Sequence, residues 1–197
     1  MRLKAVRVIV ALAVCVASAP ATFAQNLLTN GSFETGDFTG WTTGGIFEDT
    51  DVVSGAFYEY TGAQDGNYYA VLGPVGNDGT LSQTFADHAG LEYTVNFWFA
   101  SVGDNPSDFS ASWDGTPLLS LTNPNTGAAW TQYTYQVTGT GSDTLTFAFR
   151  DDPAYMALDN VSVTESPEQS VPEPSSLLML GTGVLGLGGV VRRKLRR

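Results

Sequence analysis

From Leu91 to Phe99 every odd position is apolar and every even position is polar, with Trp98 the one exception. A period of two held over such a run is the pattern of a strand with one face buried, and it does not suit an amphipathic helix. The alternation returns in Thr144–Arg150 and in Gln132–Val137. Shorter runs rich in β-branched and aromatic residues lie at Gly45–Val53, Ala56–Thr61, Tyr68–Leu72, Thr80–Phe85, Phe109–Trp113, Leu118–Leu121 and Met156–Val163. Gly, Asn, Asp and Pro separate them, and no helical apolar period competes between Asn26 and Thr164. Around ten strands with turn signals between them predict an all-β fold, a jelly-roll β-sandwich spanning residues 25–164. The 197 residues, 43% hydrophobic and 15% charged, suffice for one such core and disfavour disorder.

Charge is sorted along the chain. Arg150 is the only base between Gln25 and Pro174, a stretch that contains all twenty Asp and Glu. A body this acidic repels phosphate backbones and anionic headgroups, which excludes nucleic acid as a partner. The stretch has no lysine, its only histidine is His88, and the single cysteine is Cys15 near the start. A catalytic thiol, a disulfide framework, a Schiff-base lysine and a multi-histidine zinc site are therefore excluded from it.

The two ends read as addresses. Residues 1–24 have the form of a secretory signal peptide: Arg2, Lys4 and Arg7, the apolar run Val8–Ala17, then Thr22-Phe23-Ala24 before a cut at Gln25. Cys15 would leave with it. At the other end, Val171, Pro172, Glu173, Pro174 and Ser175 follow a short polar linker at 165–170. An uncharged run, Ser175–Val191, comes next, and then the basic tail 192–197 opening on Arg192 and Arg193. As a helix that run rises about 25 Å, close to a bilayer core of about 30 Å, so a single transmembrane helix at 175–191 is expected. The basic tail would stay cytoplasmic and the acidic domain outside. Gly181, Gly183 and Gly186 meet the spacing of a dinucleotide-binding loop, but no strand precedes them and a basic terminus follows.

In its order of parts, the segment 171–197 resembles the PEP-CTERM sorting signal. The resemblance implies an exosortase, a membrane-embedded cysteine peptidase, as partner. It also implies attachment to the inner membrane through the C-terminal helix before processing, and export to the cell surface or extracellular matrix. Such proteins are associated with exopolysaccharide and biofilm, so extracellular polysaccharide is the second expected partner.

The body of the chain opens with Asn26-Leu27-Leu28-Thr29-Asn30-Gly31-Ser32-Phe33-Glu34 and closes with Ala157-Leu158-Asp159-Asn160-Val161-Ser162-Val163. Gly66-Asn67-Tyr68-Tyr69 lies between. The arrangement resembles the galactose-binding-domain-like jelly rolls, which include many carbohydrate-binding modules. That resemblance implies a structural calcium tying the first motif to the last strand, with Glu34 and Asp159 as ligands; Asp65 is added because it stands beside the Gly66 strand start. Calcium takes hard oxygens, which an acidic exported domain has in excess. Asp49-Thr50-Asp51 begins like an EF-hand loop but fails at Val53 and Ser54.

Sugar rings stack on aromatic faces. Trp98 is the leading candidate platform because it points away from Tyr93, Val95, Phe97 and Phe99. Tyr58 and Tyr60, expected on one face of a strand, come next. Trp41, Trp113 and Trp130 are expected in the core or at corners, Arg150 paired with Asp151 or Asp152, and His88 on an exposed turn. No nucleophile elbow or paired-carboxylate spacing stands out, so the expectation is a non-catalytic carbohydrate-binding protein. A small glycan hydrolase or lyase on the same scaffold, and a structural surface protein without a sugar ligand, remain as alternatives.

Overall fold

The computed structural model describes residues 25–167. The expected signal peptide, the second half of the linker, the sorting motif, the transmembrane helix and the basic tail lie outside the described residues. Ten strands run in the order β1 (Thr42–Gly45), β2 (Thr50–Ser54), β3 (Tyr68–Leu72), β4 (Gly79–Ala86), β5 (Glu92–Ser101), β6 (Ser107–Trp113), β7 (Thr116–Thr122), β8 (Thr131–Thr138), β9 (Ser142–Asp151) and β10 (Met156–Glu165). They form two five-stranded antiparallel sheets, β1-β4-β9-β6-β7 and β2-β3-β10-β5-β8. The fold is the all-β jelly-roll sandwich that the alternation predicted.

The period of two builds the interior. Tyr93, Val95, Phe97 and Phe99 of β5 are buried, and so are Leu145, Phe147 and Phe149 of β9 on the facing sheet. Phe97 lies at the centre, with ring centroids 5.1 Å from Phe147, 6.1 Å from Phe109 and 5.4 Å from Tyr133. A second, smaller cluster of Tyr60, Tyr69, Val71, Ala100 and Ala157 lies on the outer side of the β2-β3-β10-β5-β8 sheet, where the segment before β3 covers it.

Two expected strands were wrong. Gly45–Val53 is split between the sheets: β1 pairs with β4, and β2 pairs with β3. Gly45 and Asp49 have positive φ, 66° and 56°, and a chain bent twice into the left-handed region cannot continue as one strand. Ala56–Thr61 is a tight turn in which Phe57 and Tyr60 exchange backbone hydrogen bonds across Tyr58, at φ 51°, and Glu59. The strand Thr42–Gly45 went unpredicted, because Thr-Thr-Gly-Gly carries no apolar alternation.

The opening motif is sewn to β10. The Asn26 side chain donates to the Val161 carbonyl at 3.0 Å and accepts from the Val163 N–H at 2.9 Å. Val161 N–H donates to the Gly31 carbonyl. Gly31 is obligatory there, since a Cβ would stand 2.1 Å from the Val161 oxygen. Phe33 is then fully buried, stacked on Trp41 at 5.7 Å.

Phe97→Ala is expected to cost about 3–5 kcal/mol, as for large-to-small changes in close-packed cores. Urea denaturation checks this, as a lower midpoint at unchanged slope.

Candidate functional site

The outer face of β10, β5 and β8 carries a polar strip. Trp98 faces Asp159 across the β10 ladder and Gln132 across the β8 ladder. Asn96 and Thr94 continue the face along β5, with Thr134 and Gln136 opposite on β8, and Ser162 and Thr164 on β10. Trp98 is half-buried, while Gln132, Thr134 and Gln136 are exposed. Hydrogen bonds fix these side chains: Thr134 donates to Asn96 at 2.6 Å, and Gln136 donates to Thr94 at 2.9 Å. Ser166 bonds both Thr94 and Gln136 at 2.8 Å, so the chain leaves the domain alongside this strip. An open hollow of about 720 Å³ lies at that end, lined by Leu91, Glu92, Thr94, Gln136, Glu165 and Ser166. One indole among amides and hydroxyls, with no charged side chain beside Trp98 except the buried Asp159, is suited to a neutral polyhydroxylated ligand.

Glu34, Asp65 and Asp159 meet at one loop, though not through three carboxylates. Asp159 is fully buried; its Oδ2 accepts the N–H groups of Gln64 at 2.8 Å and Asp65 at 3.0 Å, and its Oδ1 accepts that of Asn160. Glu34 Oε1 accepts the N–H groups of Asn67 and Tyr68, each at 2.8 Å. Two carboxylates thus grip segment 64–68 from either side, and Asp65 contributes its backbone. A Cβ at Gly66 would stand 2.4 Å from the Glu34 carboxyl carbon, which keeps that position glycine. Burial pushes the Asp159 carboxyl up to about 6, against the three N–H donors that lower it. Glu34 is held below the usual carboxylate range, chiefly by the Tyr68 N–H. Among the described residues, no three His, Cys, Asp or Glu side chains stand close enough together to hold a metal ion by themselves.

Tyr58 and Tyr60 do not share a face. Tyr60 is 2% exposed and its hydroxyl donates to the Tyr155 carbonyl at 2.5 Å, so it belongs to the second cluster and presents no stacking surface. Tyr58 is 54% exposed, its ring 5.7 Å from that of Tyr155. Next to it, Asp49, Asp51, Val53, Phe57, Val71 and Tyr155 line a hollow of about 290 Å³. Tyr60, Tyr69 and Trp130 pack together in the second cluster, Trp130 6.5 Å from Tyr60 and 5.8 Å from Tyr69. Trp41 and Trp113 are buried, His88 is exposed on the turn before β5, and Arg150 pairs with Asp152, Nε to Oδ2 at 2.9 Å.

Sequence reasoning passed over two buried acids, Asp143 and Asp151. The signal was present: the inward series Leu145, Phe147, Phe149 extends by one step at each end to Asp143 and Asp151. Burial opposes ionisation of Asp143, but hydrogen bonds from Asp87, Thr140 and Asp114 hold it down to about 2. Asp87 and Asp114 are raised, by burial and then by Asp143. Asp151 is pushed up to about 7 by burial, and further by Asp104 and Asp152.

Residues 170–194 match the PEP-CTERM protein-sorting motif. The chain therefore carries the sorting signal expected from Val171 onwards, which marks it for export and for processing by an exosortase. None of the curated proteins matches the chain in sequence. Several solved structures share its fold. TmCBM61, determined in complex with β-1,4-galactotriose, matches with a TM-score of 0.60 and 20% identity over 73% of this chain and 100% of that one. The CBM22-1 xylan-binding domain of Paenibacillus barcinonensis Xyn10C matches with a TM-score of 0.50 and 19% identity, over 74% and 97%. The enzymatically active domain of tailspike protein 4 from bacteriophage CBA120 matches with a TM-score of 0.54 and 18% identity, over 72% of this chain and 21% of that one. At such identities the likeness is one of fold, a jelly roll shared with carbohydrate-binding modules.

The grip on segment 64–68 has a direct readout. In Asp159→Ala the amides of Gln64 and Asp65 are expected to exchange with deuterium at least about tenfold faster, matching the loss of roughly 1.5–3 kcal/mol of charged hydrogen bonding. Amides in β9 should be unaffected. Equal protection in the variant would refute the grip.

Proposed function

We propose that this chain is an exported, non-catalytic carbohydrate-binding protein of the cell surface or extracellular matrix, which holds a neutral polysaccharide across Trp98. The observation that carries the reading is the composition of the strip: one half-buried indole edged by Asn96, Thr134, Gln132 and Gln136. A domain with one base against so many acids repels uronic-acid polymers at low salt, which favours uncharged glycans. The jelly-roll likeness to sugar-binding modules agrees with this, and the sorting motif agrees with a place in an exopolysaccharide or biofilm matrix. Before processing, the C-terminal helix would hold the protein in the inner membrane.

Affinity electrophoresis through gels containing neutral or acidic polysaccharides tests the reading. Retardation is expected in at least one neutral gel, and Trp98→Ala should weaken it by about tenfold or more. The exposed Tyr58 beside Tyr155, Asp49 and Asp51 supports a second placement on the same sheet. If Tyr58→Ala abolishes retardation while Trp98→Ala leaves it unchanged, the ligand sits there. Reducing-sugar release from the bound polysaccharide would overturn the non-catalytic part. No retardation in any gel would leave a structural surface protein.

We also propose that calcium binds at the loop grip, with Glu34 and Asp159 as its side-chain ligands and the remaining positions filled by carbonyls and water. The base-free surroundings of the buried Asp159 favour a cation, and Asp65 stands on the same segment. With a dissociation constant of about 10⁻⁴–10⁻³ M, 5 mM calcium would add roughly 1–2 kcal/mol. The expected result is a Tm a few degrees higher in calcium than in chelator, and a smaller rise in Glu34→Gln. A rise unaffected by Glu34→Gln would remove the ion from this loop, leaving the N–H donors as its sole support.

A further inference from the structure

Asp151 is fully buried, and neither carboxylate oxygen has a hydrogen-bond partner or accessible surface. A lone carboxylate so placed is destabilising by several kcal/mol unless something compensates it. Arg150, the only base in this part of the chain, is committed to Asp152. A proton would remove the charge, but neither oxygen has a hydrogen-bond partner with which to share it.

The surroundings are oxygen-rich. The charge acting most strongly on Asp151 is that of another acid, Asp104, half-buried in the loop between β5 and β6. That loop is fastened to the end of β9: Asp152 N–H donates to the Pro106 carbonyl at 3.1 Å, and Ser107 Oγ donates to the Asp104 carbonyl at 2.7 Å. Ser107 is itself the ladder partner of Asp151. Calcium takes six to eight oxygen ligands at about 2.3–2.6 Å, and the buried carboxylate of Asp151, unpartnered at both oxygens, has two to offer.

We propose that Asp151 and Asp104 hold a calcium ion, with the remaining ligands supplied by Ser107 and backbone carbonyls of the 104–107 loop. The site is separate from the Glu34–Asp159 loop and does not depend on the sugar reading. The ion ties the β5–β6 loop to the end of β9.

Terbium, which replaces calcium and is sensitised by nearby tyrosines, tests the proposal on the full-length chain. Tyr58 and Tyr60 are both within reach of the charge on Asp151. The expected result is terbium luminescence that calcium displaces, retained in Glu34→Gln and weakened by about tenfold or more in Asp151→Asn, as affinity follows ligand charge. Where Asp151→Asn fails to fold, Asp104→Asn gives the same readout and should weaken binding likewise. The proposal is overturned by absent luminescence in the parent chain, or by luminescence that the folded Asp variants leave intact. It is also overturned if Asp151→Asn melts higher than the parent in calcium, the sign of a residue that carried a proton.

Discussion

The sandwich depends on a bulge. Between Asp159 and Ser162 β10 gains a residue against β5, and Asn160 takes the left-handed conformation there, at φ 48°. The extra residue keeps Leu158 and Val161 both inside, and it turns Asp159 toward segment 64–68. Asn26 and Gly31 bond to the strand close by, Asn26 through the Val161 carbonyl and the Val163 N–H, past the point at which the β3 pairing ends at Leu158. One irregularity thus joins the start of the domain, its last strand and the loop beside Trp98. Filling Gly31 or removing Asn26 would act on all three, because bulge geometry is cooperative with what pairs to it.

An acidic domain with a single arginine has to compensate most of its charge by other means, and here it does so with backbone N–H groups. Asp37 accepts from Thr39, Asp152 from Gly76, Asp143 from Thr140, Asp87 from Gly141, Glu34 from Asn67 and Tyr68, and Asp159 from three amides. Each such bond is charge-assisted, stronger than a neutral one, and spends no lysine or arginine. The net negative charge persists at long range, where it governs which polymers approach, while locally most buried carboxylates are satisfied. Asp151 departs from the rule among the described residues, with both oxygens free.

The fold was legible where burial is one-sided. Before and along β5 the apolar residues fall two apart for nine positions, Leu91 to Phe99, and in β9 for five, Leu145 to Phe149, a period that suits a strand and not a helix. Legibility failed where a turn is made of residues that favour strands. Tyr58-Glu59-Tyr60 has the alternation of a strand, yet hydrogen bonds between Phe57 and Tyr60 close it, and Tyr60 is needed under Trp130 and against Tyr69. Nothing local marks that demand, which is tertiary. Trp98 was legible as the odd member of its strand, pointing outward. The role of Asp65 was not, because it acts through an N–H that every residue has.

Trp98 stands on an open strip, and an open strip buries little of a sugar. Pockets that bind tightly enclose most of their ligand, whereas a single indole face leaves one side of the ring in water, so the intrinsic affinity of such a surface is low. On the proposed sugar-binding reading, display at a cell surface would change that arithmetic without adding a contact. Copies held in one layer would meet successive units of one polymer, and each further engagement would be intramolecular, so avidity would rise by about 10²–10⁴ over the single site. The proposed contact strip runs on to Ser166, whose hydroxyl bonds Thr94 and Gln136, so the last described residues leave the domain from the same face.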